Sequence, residues 1–422
     1  MRVVLISFVT PASENIRGTS ALPYHLIKGT LPLPISDKEG VGEIYSDNKD
    51  LSFTIYTFNN NQLPGEKIVE VEKELGVTIK NIPLPKWYQW MFKLHLLFLR
   101  IFLKYPFVNY IKLPQRYVKE IKAQKPDLIW VMGEELSRVV KQFPETRRIQ
   151  IGPDTESLYY YRLMGKRFVM NSPMSYWKCA LMYRKYARME RDFCTDENFT
   201  YHAVGLEDVS HLHQLNPDVN AMFLRHPHYE VSNQCNMHNS LCTIKFHQPK
   251  IKLLIAGQNN LYMKQDADLL IEELRKASGE LRGNYAFTFL GKGWEQSVIS
   301  LQSVGYEVGH IKFAPDYIEE ICKHDIQITP ISIGTGTKGK VLDALANGLL
   351  VIGTPFALEN IAVVNGISCV QYTDSKEVIK TLVDILQNTK RYEEMAQNGQ
   401  NAVLEQHSRK NVSNVLFSLF NS

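Results

Sequence analysis

Residues 328–355 read ITPISIGTGTKGKVLDALANGLLVIGTP, and this stretch decides the fold class. An apolar run ends at Pro330. A loop then brings Gly334 and Gly336, where a missing Cβ lets backbone come close to a ligand. Thr335 and Thr337 sit between and beside them. A helix over Val341–Ala346 follows, so its free N–H groups and its dipole face the loop, which is a natural anion site. Lys338 and Lys340 add positive charge. Asn347-Gly348 is a helix stop, and Leu349–Gly353 resumes a strand. Lys340 and Asp343 are three apart and share one helix face. A lysine there can hold diphosphate oxygens, and a carboxylate one turn deeper can accept hydrogen bonds from ribose hydroxyls. The same residues also fit a solvated Lys–Asp pair beside a glycine-rich loop. The spacing G-x-x-x-x-G-K-[ST] is missing, which excludes a P-loop. No G-x-G-x-x-G follows the first strand, which argues against a dinucleotide oxidoreductase.

Outward from this segment, strands alternate with helices. Val3–Val9, Phe53–Phe58, Val77–Ile82, Asp127–Met132 and Arg148–Ile151 read as strands of a first half. Helices are expected from Ala21, with Pro23 in the first turn, and over Val69–Leu75, closed by Gly76. Residues 230–249, EVSNQCNMHNSLCTIKFHQP, are polar and without period, and read as a linker. The alternation restarts with strands Ile251–Ala256, Ala286–Leu290 and Ile326–Pro330. Helices are expected at Ala267–Ala277 and Tyr317–Lys323, and from about residue 375. Such alternation implies α/β architecture with parallel sheets. Ligands of such sheets bind at the carboxyl ends of the strands.

Composition agrees with a globular protein. The chain has 422 residues, 44% apolar and 22% charged, with a net charge of +4. That balance is too weak to argue for nucleic acid. The six cysteines form no C-x-x-C pair and no metal-ligand spacing with histidine, so reduced thiols in a cytoplasmic protein are expected. No uncharged apolar stretch of about 20 residues exists for a membrane span. The opening MRVVLISFVTP is too short for a signal peptide and reads as a buried strand.

Segment 328–355 resembles the donor-binding motif of GT-B glycosyltransferases, in particular glycosyltransferase family 4 and the related group 1 transferases. Many members carry two glutamates separated by seven intervening residues, the second near the start of the pattern E-A-x-A-x-G-x-P-V. Asp343, in DALANGLLV, stands at the second, and Thr335 stands eight residues earlier in place of an acid. A subgroup reading G-T-G-x-K-x-K-x-L-E is closer still. The resemblance implies two Rossmann-like domains facing across a cleft. Domain limits are expected at 1–235 for the acceptor side and 245–400 for the donor side, with 401–422 as a helix crossing back to the first domain. It also implies that Gly18 and Thr19, in NIRGTSALPYHL, approach the donor diphosphate. In AGQNNLYMK, Gln258 replaces the family arginine, and Lys264 takes the place of the phosphate-gripping lysine or is an ordinary surface lysine. The expected activity is transfer of a sugar from a nucleotide-diphosphate sugar to a glycan or lipid-linked acceptor in cell-surface polysaccharide synthesis. Transfer is expected to retain anomeric configuration and to need no metal or other cofactor. Two alternatives stay open: a degenerate nucleotide-sugar-binding partner protein, which Thr335 and Gln258 favour, and a nucleotide-sugar epimerase of the same architecture.

Three features have two readings each. Residues 85–117 interleave aromatics, leucines and cations, which fits either peripheral contact with the inner face of a membrane or a core helix pair with snorkelling lysines. Tyr159-Tyr160-Tyr161 reads as a strand edge or an acceptor platform. Glu134 and Asp154 follow strands and either line the ligand crevice or cap loops. No catalytic base is assigned.

Overall fold

The structure is a computed structural model describing residues 1–13, 18–32, 51–232 and 244–420. It divides into two compact units. The first comprises Met1–Pro227 with Arg409–Ser422, and the second His228–Ser408. The division falls at Pro227 rather than within 235–245, and the return to the first unit begins at Arg409 rather than at 401. Much of the expected linker, 233–243, lies outside the described residues. Its flanks belong to the second unit: Tyr229 and Ser232 bond to Asp343 and Asn347, and Phe246 and His247 bond to Glu393 and Asp325.

The first unit is built on β1 (Arg2–Ser7), β2 (Ser52–Thr57), β3 (Thr78–Asn81), β4 (Leu128–Met132), β5 (Arg148–Gly152), β6 (Phe199–Ala203) and β7 (Ala221–Phe223). All neighbours pair in parallel, in the order β3-β2-β1-β4-β5-β6-β7. Parallel pairing forces each connection to cross a face of the sheet, so both faces are covered. This is why β4 reads as an unbroken apolar run, LIWVM, with every residue buried. The last helix, Arg409–Ser418, covers one of these faces. Phe417 packs edge-on against Phe53 and Trp130, and Ser413 Oγ donates to Leu26 O at 2.7 Å. A Cβ on Gly29 would lie 2.4 Å from Arg409 O, so glycine is what lets this helix dock.

The second unit carries β8 (Ile251–Ala256), β9 (Tyr285–Leu290), β10 (Glu307–Ile311), β11 (Ile326–Thr329), β12 (Leu350–Gly353) and β13 (Val370–Gln371), again all parallel, in the order β10-β9-β8-β11-β12-β13. In each sheet the winding reverses once, between β1 and β4 and between β8 and β11.

Some local expectations change. Pro23 lies inside the helix Gly18–Lys28, beyond its first turn. Tyr159–Tyr161 lie in the helix Glu156–Met164, not at a strand edge. Residues 85–117 are not a core helix pair: a helix at Lys86–Lys93 gives way to short 3-10 turns at Leu96–Phe102 and Phe107–Tyr110. The Leu96–Phe102 turn has no buried residue.

Candidate functional site

A doubly wound sheet takes its ligand where the winding reverses, outside the carboxyl ends of the two strands concerned. In the second unit these strands are β8 and β11, and the loops that leave them are joined. Ser332 N donates to Tyr262 O at 2.7 Å, and Ser332 Oγ accepts from Asp266 N at 3.1 Å. Asp266 N belongs to the first turn of the helix Lys264–Lys276, where backbone donors lack intrahelical partners. The β11 loop thus caps the helix of the β8 loop. Neighbouring strand ends also approach backbone to backbone: a Cβ on Gly291, at φ +136°, would lie 2.1 Å from Gly257 O.

The loop after β11 holds its own shape. Gly336 has φ +61°, a left-handed conformation costly for other residues. Its carbonyl accepts from Asn360 Nδ2 at 3.2 Å. Lys338 precedes the helix Gly339–Ala346 and folds back, donating from Nζ to Thr335 O at 2.6 Å and Gly336 O at 3.2 Å. Its stem fills the space that a Cβ on Gly334 would need, 2.6 Å from Cε. Thr335 is buried and Thr337 half-buried in this loop. Lys338 therefore closes the loop on itself, and Gly334 makes room for it.

Lys340 and Asp343 lie on the following helix as expected. Lys340 is exposed as a residue, yet its ammonium is crowded by protein atoms, which pushes its pKa down while the Asp343 charge opposes the shift. The ammonium stands 5.7 Å from the centre of the Tyr317 ring. Asp343 is 1% exposed, and its Oδ1 accepts from Tyr229 N at 3.2 Å. One turn on, Asn347 Oδ1 accepts from Ser232 N at 2.8 Å, and Asn347 Nδ2 donates to Glu230 O at 3.0 Å. Residues 229–232 are thus strapped along this helix. Tyr317 Oη is buried without a hydrogen-bond partner among the described residues, and burial and the Asp343 charge hold its pKa well above the usual range. Lys264 points its ammonium at Asp268, 2.9 Å away, on an exposed helix face.

The structure thus brings Gly334, Thr335, Gly336, Thr337, Lys338, Lys340 and Asp343 into one loop and helix. It places the start of the Lys264 helix against Ser332 of that loop. Sequence reasoning missed Ser332, Tyr229, Tyr317 and Asn347. The helix stop at Asn347-Gly348 marked Asn347 only as punctuation. Tyr229 lies 114 residues from Asp343, and no local pattern announces such a pairing.

In the first unit, Gly18 and Thr19 open the helix Gly18–Lys28, and a Cβ on Gly18 would meet Pro153 Cβ at 3.5 Å, an ordinary contact. Residues 14–17 of that loop lie outside the described residues. Where β1 and β2 end, Thr10 Oγ1 donates to Asn59 Oδ1 at 2.7 Å and Thr10 N to Asn61 Oδ1 at 2.8 Å. Beyond β4 and β5 stands a carboxylate cluster. Glu134 Oε1 accepts from Glu156 N at 3.3 Å, which caps the helix Glu156–Met164, while Oε2 is buried and has no hydrogen-bond partner among the described residues. Ser157 Oγ bonds both Glu190 and His211 Nε2, the latter at 2.7 Å. Burial, reinforced by neighbouring carboxylates, pushes Glu134 well above the usual range and Glu156 up to about 8. Burial, opposed by the Ser157 hydrogen bonds, takes Glu190 to about 7. Asp154 is exposed.

Residues 265–417 match the family model described as "Glycosyl transferase-like". Over 99% of both chains, the fold is similar to HepE of Anabaena, solved in complex with UDP and glucose, at 11% identity and a TM-score of 0.61. Sucrose-phosphate synthase of Thermosynechococcus elongatus matches at 10% identity and a TM-score of 0.63, covering 99% of this chain and 98% of that one. WaaG, a glycosyltransferase involved in lipopolysaccharide biosynthesis, matches over 100% of both chains at 12% identity and a TM-score of 0.58. No curated protein matches the sequence. The architecture is that of GT-B glycosyltransferases.

Proposed function

We propose that this GT-B glycosyltransferase takes a sugar from a nucleotide-diphosphate sugar held on its second unit and passes it to a glycan or lipid-linked acceptor in cell-surface polysaccharide synthesis. One observation carries the reading. The glycine loop and the helix Gly339–Ala346 leave β11, where the winding reverses, and that loop is bonded to the first turn of the Lys264 helix through Ser332. Two helix N-termini therefore meet at one place. Lys264 N and Asp266 N are already taken by Asn260 O and Ser332 Oγ, so the diphosphate is assigned to the first turn of the helix Gly339–Ala346.

In the transfer, the bond from the anomeric carbon to the diphosphate oxygen breaks, and a bond to an acceptor oxygen forms. Negative charge grows on the leaving diphosphate. Helix N–H groups and the Lys340 ammonium stabilise that charge, most where water is excluded. Lys340 is already held near its task by the Tyr317 ring. Asp343, one turn deeper, is the proposed ribose contact. Lys338 acts by fixing the loop, and Lys264 has to leave Asp268 before it can reach a phosphate. Gly18 and Thr19 belong to the proposed donor set by resemblance alone. Retention of configuration and independence of metal are part of the proposal by resemblance. A cytoplasmic location belongs to it too, as does peripheral membrane contact through 85–117, which rests on the interleaved aromatics and cations of that segment.

Calorimetry with UDP, GDP, ADP, CMP and their sugar conjugates tests the site. Binding of one nucleotide diphosphate, weakened in both Lys340→Ala and Asp343→Ala, is expected. A folded protein that binds none of them contradicts the reading. Thr335 in place of an acid favours a second reading, a nucleotide-sugar-binding partner without turnover. Donor binding with no transfer to any acceptor would select it.

A further inference from the structure

Two stretches of the first unit contain no acid at all. Residues 76–119 carry eight Lys and Arg, and residues 157–189 carry seven, with no Asp or Glu in either. At the chain's average of 44 acids in 422 residues, about eight acids would be expected across the two. Both stretches also expose large apolar side chains. In the first, Trp90 is 60%, Phe98 65% and Phe102 81% exposed; in the second, Met174 is 62% and Trp177 51% exposed. Soluble surfaces scatter such residues singly. A cluster of apolar side chains with no buried member, as at Leu96–Phe102, where only Arg100 interrupts the apolar residues, marks an interaction surface.

The two stretches are joined. Lys185, buried on the helix Pro173–Arg191, donates from Nζ to the carbonyls of Arg100 and Ile101 in the exposed turn, the latter at 3.1 Å. Trp177 lies eight residues before Lys185, or roughly 12 Å along the same helix. From Pro173 to Lys178 this helix buries no residue, whereas Lys185–Ala187 are buried. Its first turns therefore stand clear of the body of the unit. Beside the Leu96–Phe102 turn, Trp87, Trp90, Met91, Leu94, Leu103 and Phe107 line an apolar groove of about 490 Å³.

We propose that these two arms together form one docking face for an anionic lipid bilayer, with the groove taking part of an acyl chain. Charge complementarity selects this occupant. With Lys80, paired with Glu120, and the buried Lys185 set aside, thirteen cations of these acid-free stretches suit anionic headgroups, while tryptophans and phenylalanines on the same arms suit the layer between headgroups and acyl chains. The inference deepens the acceptor side of the proposed function, since a lipid-linked acceptor is met at such a surface, and it adds 157–189 as the second arm.

The test is sedimentation of the full chain with phosphatidylcholine vesicles and with mixed phosphatidylcholine and phosphatidylglycerol vesicles. Binding to the mixed vesicles only, weakened by salt, is expected. Lys93→Gln and Lys178→Gln should each weaken it about fivefold. Trp90→Ser with Phe102→Ser, and separately Met174→Ser with Trp177→Ser, should each weaken it at least tenfold. Brominated lipid should quench part of the tryptophan emission, because Trp130 and Trp294 are fully buried and the other three are not. No binding to mixed vesicles overturns the proposal. So does binding that Met174→Ser with Trp177→Ser leaves unchanged, or a wild-type dimer that the same variant makes monomeric. Nucleotide calorimetry on these variants should match wild type. A failure of the docking face is thereby distinguished from a failure of the donor site.

Discussion

Replacing Asp343 separates its two tasks. In Asp343→Ala the Tyr229 N–H loses its acceptor in a place where the carboxylate was 1% exposed. An orphaned buried donor costs about 1–3 kcal/mol. The strap at 229–232 stays down, because Asn347 still holds Ser232 N and Glu230 O. The cost should therefore appear locally, as easier opening around Tyr229, and not as release of the segment. Converted, that range is a roughly 5- to 150-fold faster amide exchange. Asp343→Asn keeps an oxygen for Tyr229 and removes the charge, so exchange at Tyr229 should stay near wild type. Hydrogen exchange followed by mass spectrometry on peptides spanning 225–232 reads both variants. Equal acceleration in Asn and Ala variants, or none in Ala, would refute the role given to this carboxylate.

Other outcomes are equally open to measurement. Gly336→Ala must hold a Cβ at φ +61°, which costs about 1–2 kcal/mol and should lower the unfolding temperature of the second unit in calorimetry. In the same assay Gly65→Ala, at a helix start with open space around it, should be neutral or slightly stabilising. The buried carboxylates give a pH dependence of defined sign. Glu156 near 8 and Glu190 near 7 bind protons more tightly in the folded state than the ordinary 4.5. The contribution of these carboxylates should therefore fall as pH rises from about 4.5 to about 8. Buried His25, His202, His211 and His324, held below 6.5, act in the opposite sense at lower pH, so the falling slope is read between about 6.5 and 8. Urea midpoints across that range should show the slope, and Glu156→Gln should flatten it.

How far the sequence could be read depended on how much of each element faces a core. β4 was plain because a strand buried on both faces is a short apolar run, and Gly133 ends it with a φ of +95°. β10, EVGHI, and the two-residue β13 went unseen because they are sheet edges, where burial no longer selects the residues. The tyrosines at 159–161 misled because three consecutive aromatics carry no period, whereas Leu158 and Leu163 are the buried apolar residues of that helix. The helix Pro173–Arg191 was not anticipated, since its first turns bury nothing and present no apolar stripe. In the site, glycines and lysines marked the loop because backbone conformation and charge are local properties. The inward fold of Lys338 and the bond from Tyr229 to Asp343 are tertiary facts, fixed by what surrounds them.

The return of the last helix has a consequence for synthesis on the ribosome. Phe53 and Trp130 are translated long before Phe417, the side chain that packs on both. Between Pro227 and Arg409 lie the 181 residues of the second unit, His228–Ser408. At bacterial or eukaryotic elongation rates, that interval is roughly 10–40 s. For that time the nascent first unit presents the apolar surface around Phe53 and Trp130 without its last cover, a natural client for a holding chaperone. Truncations ahead of Arg409 should leave the protein in that state permanently.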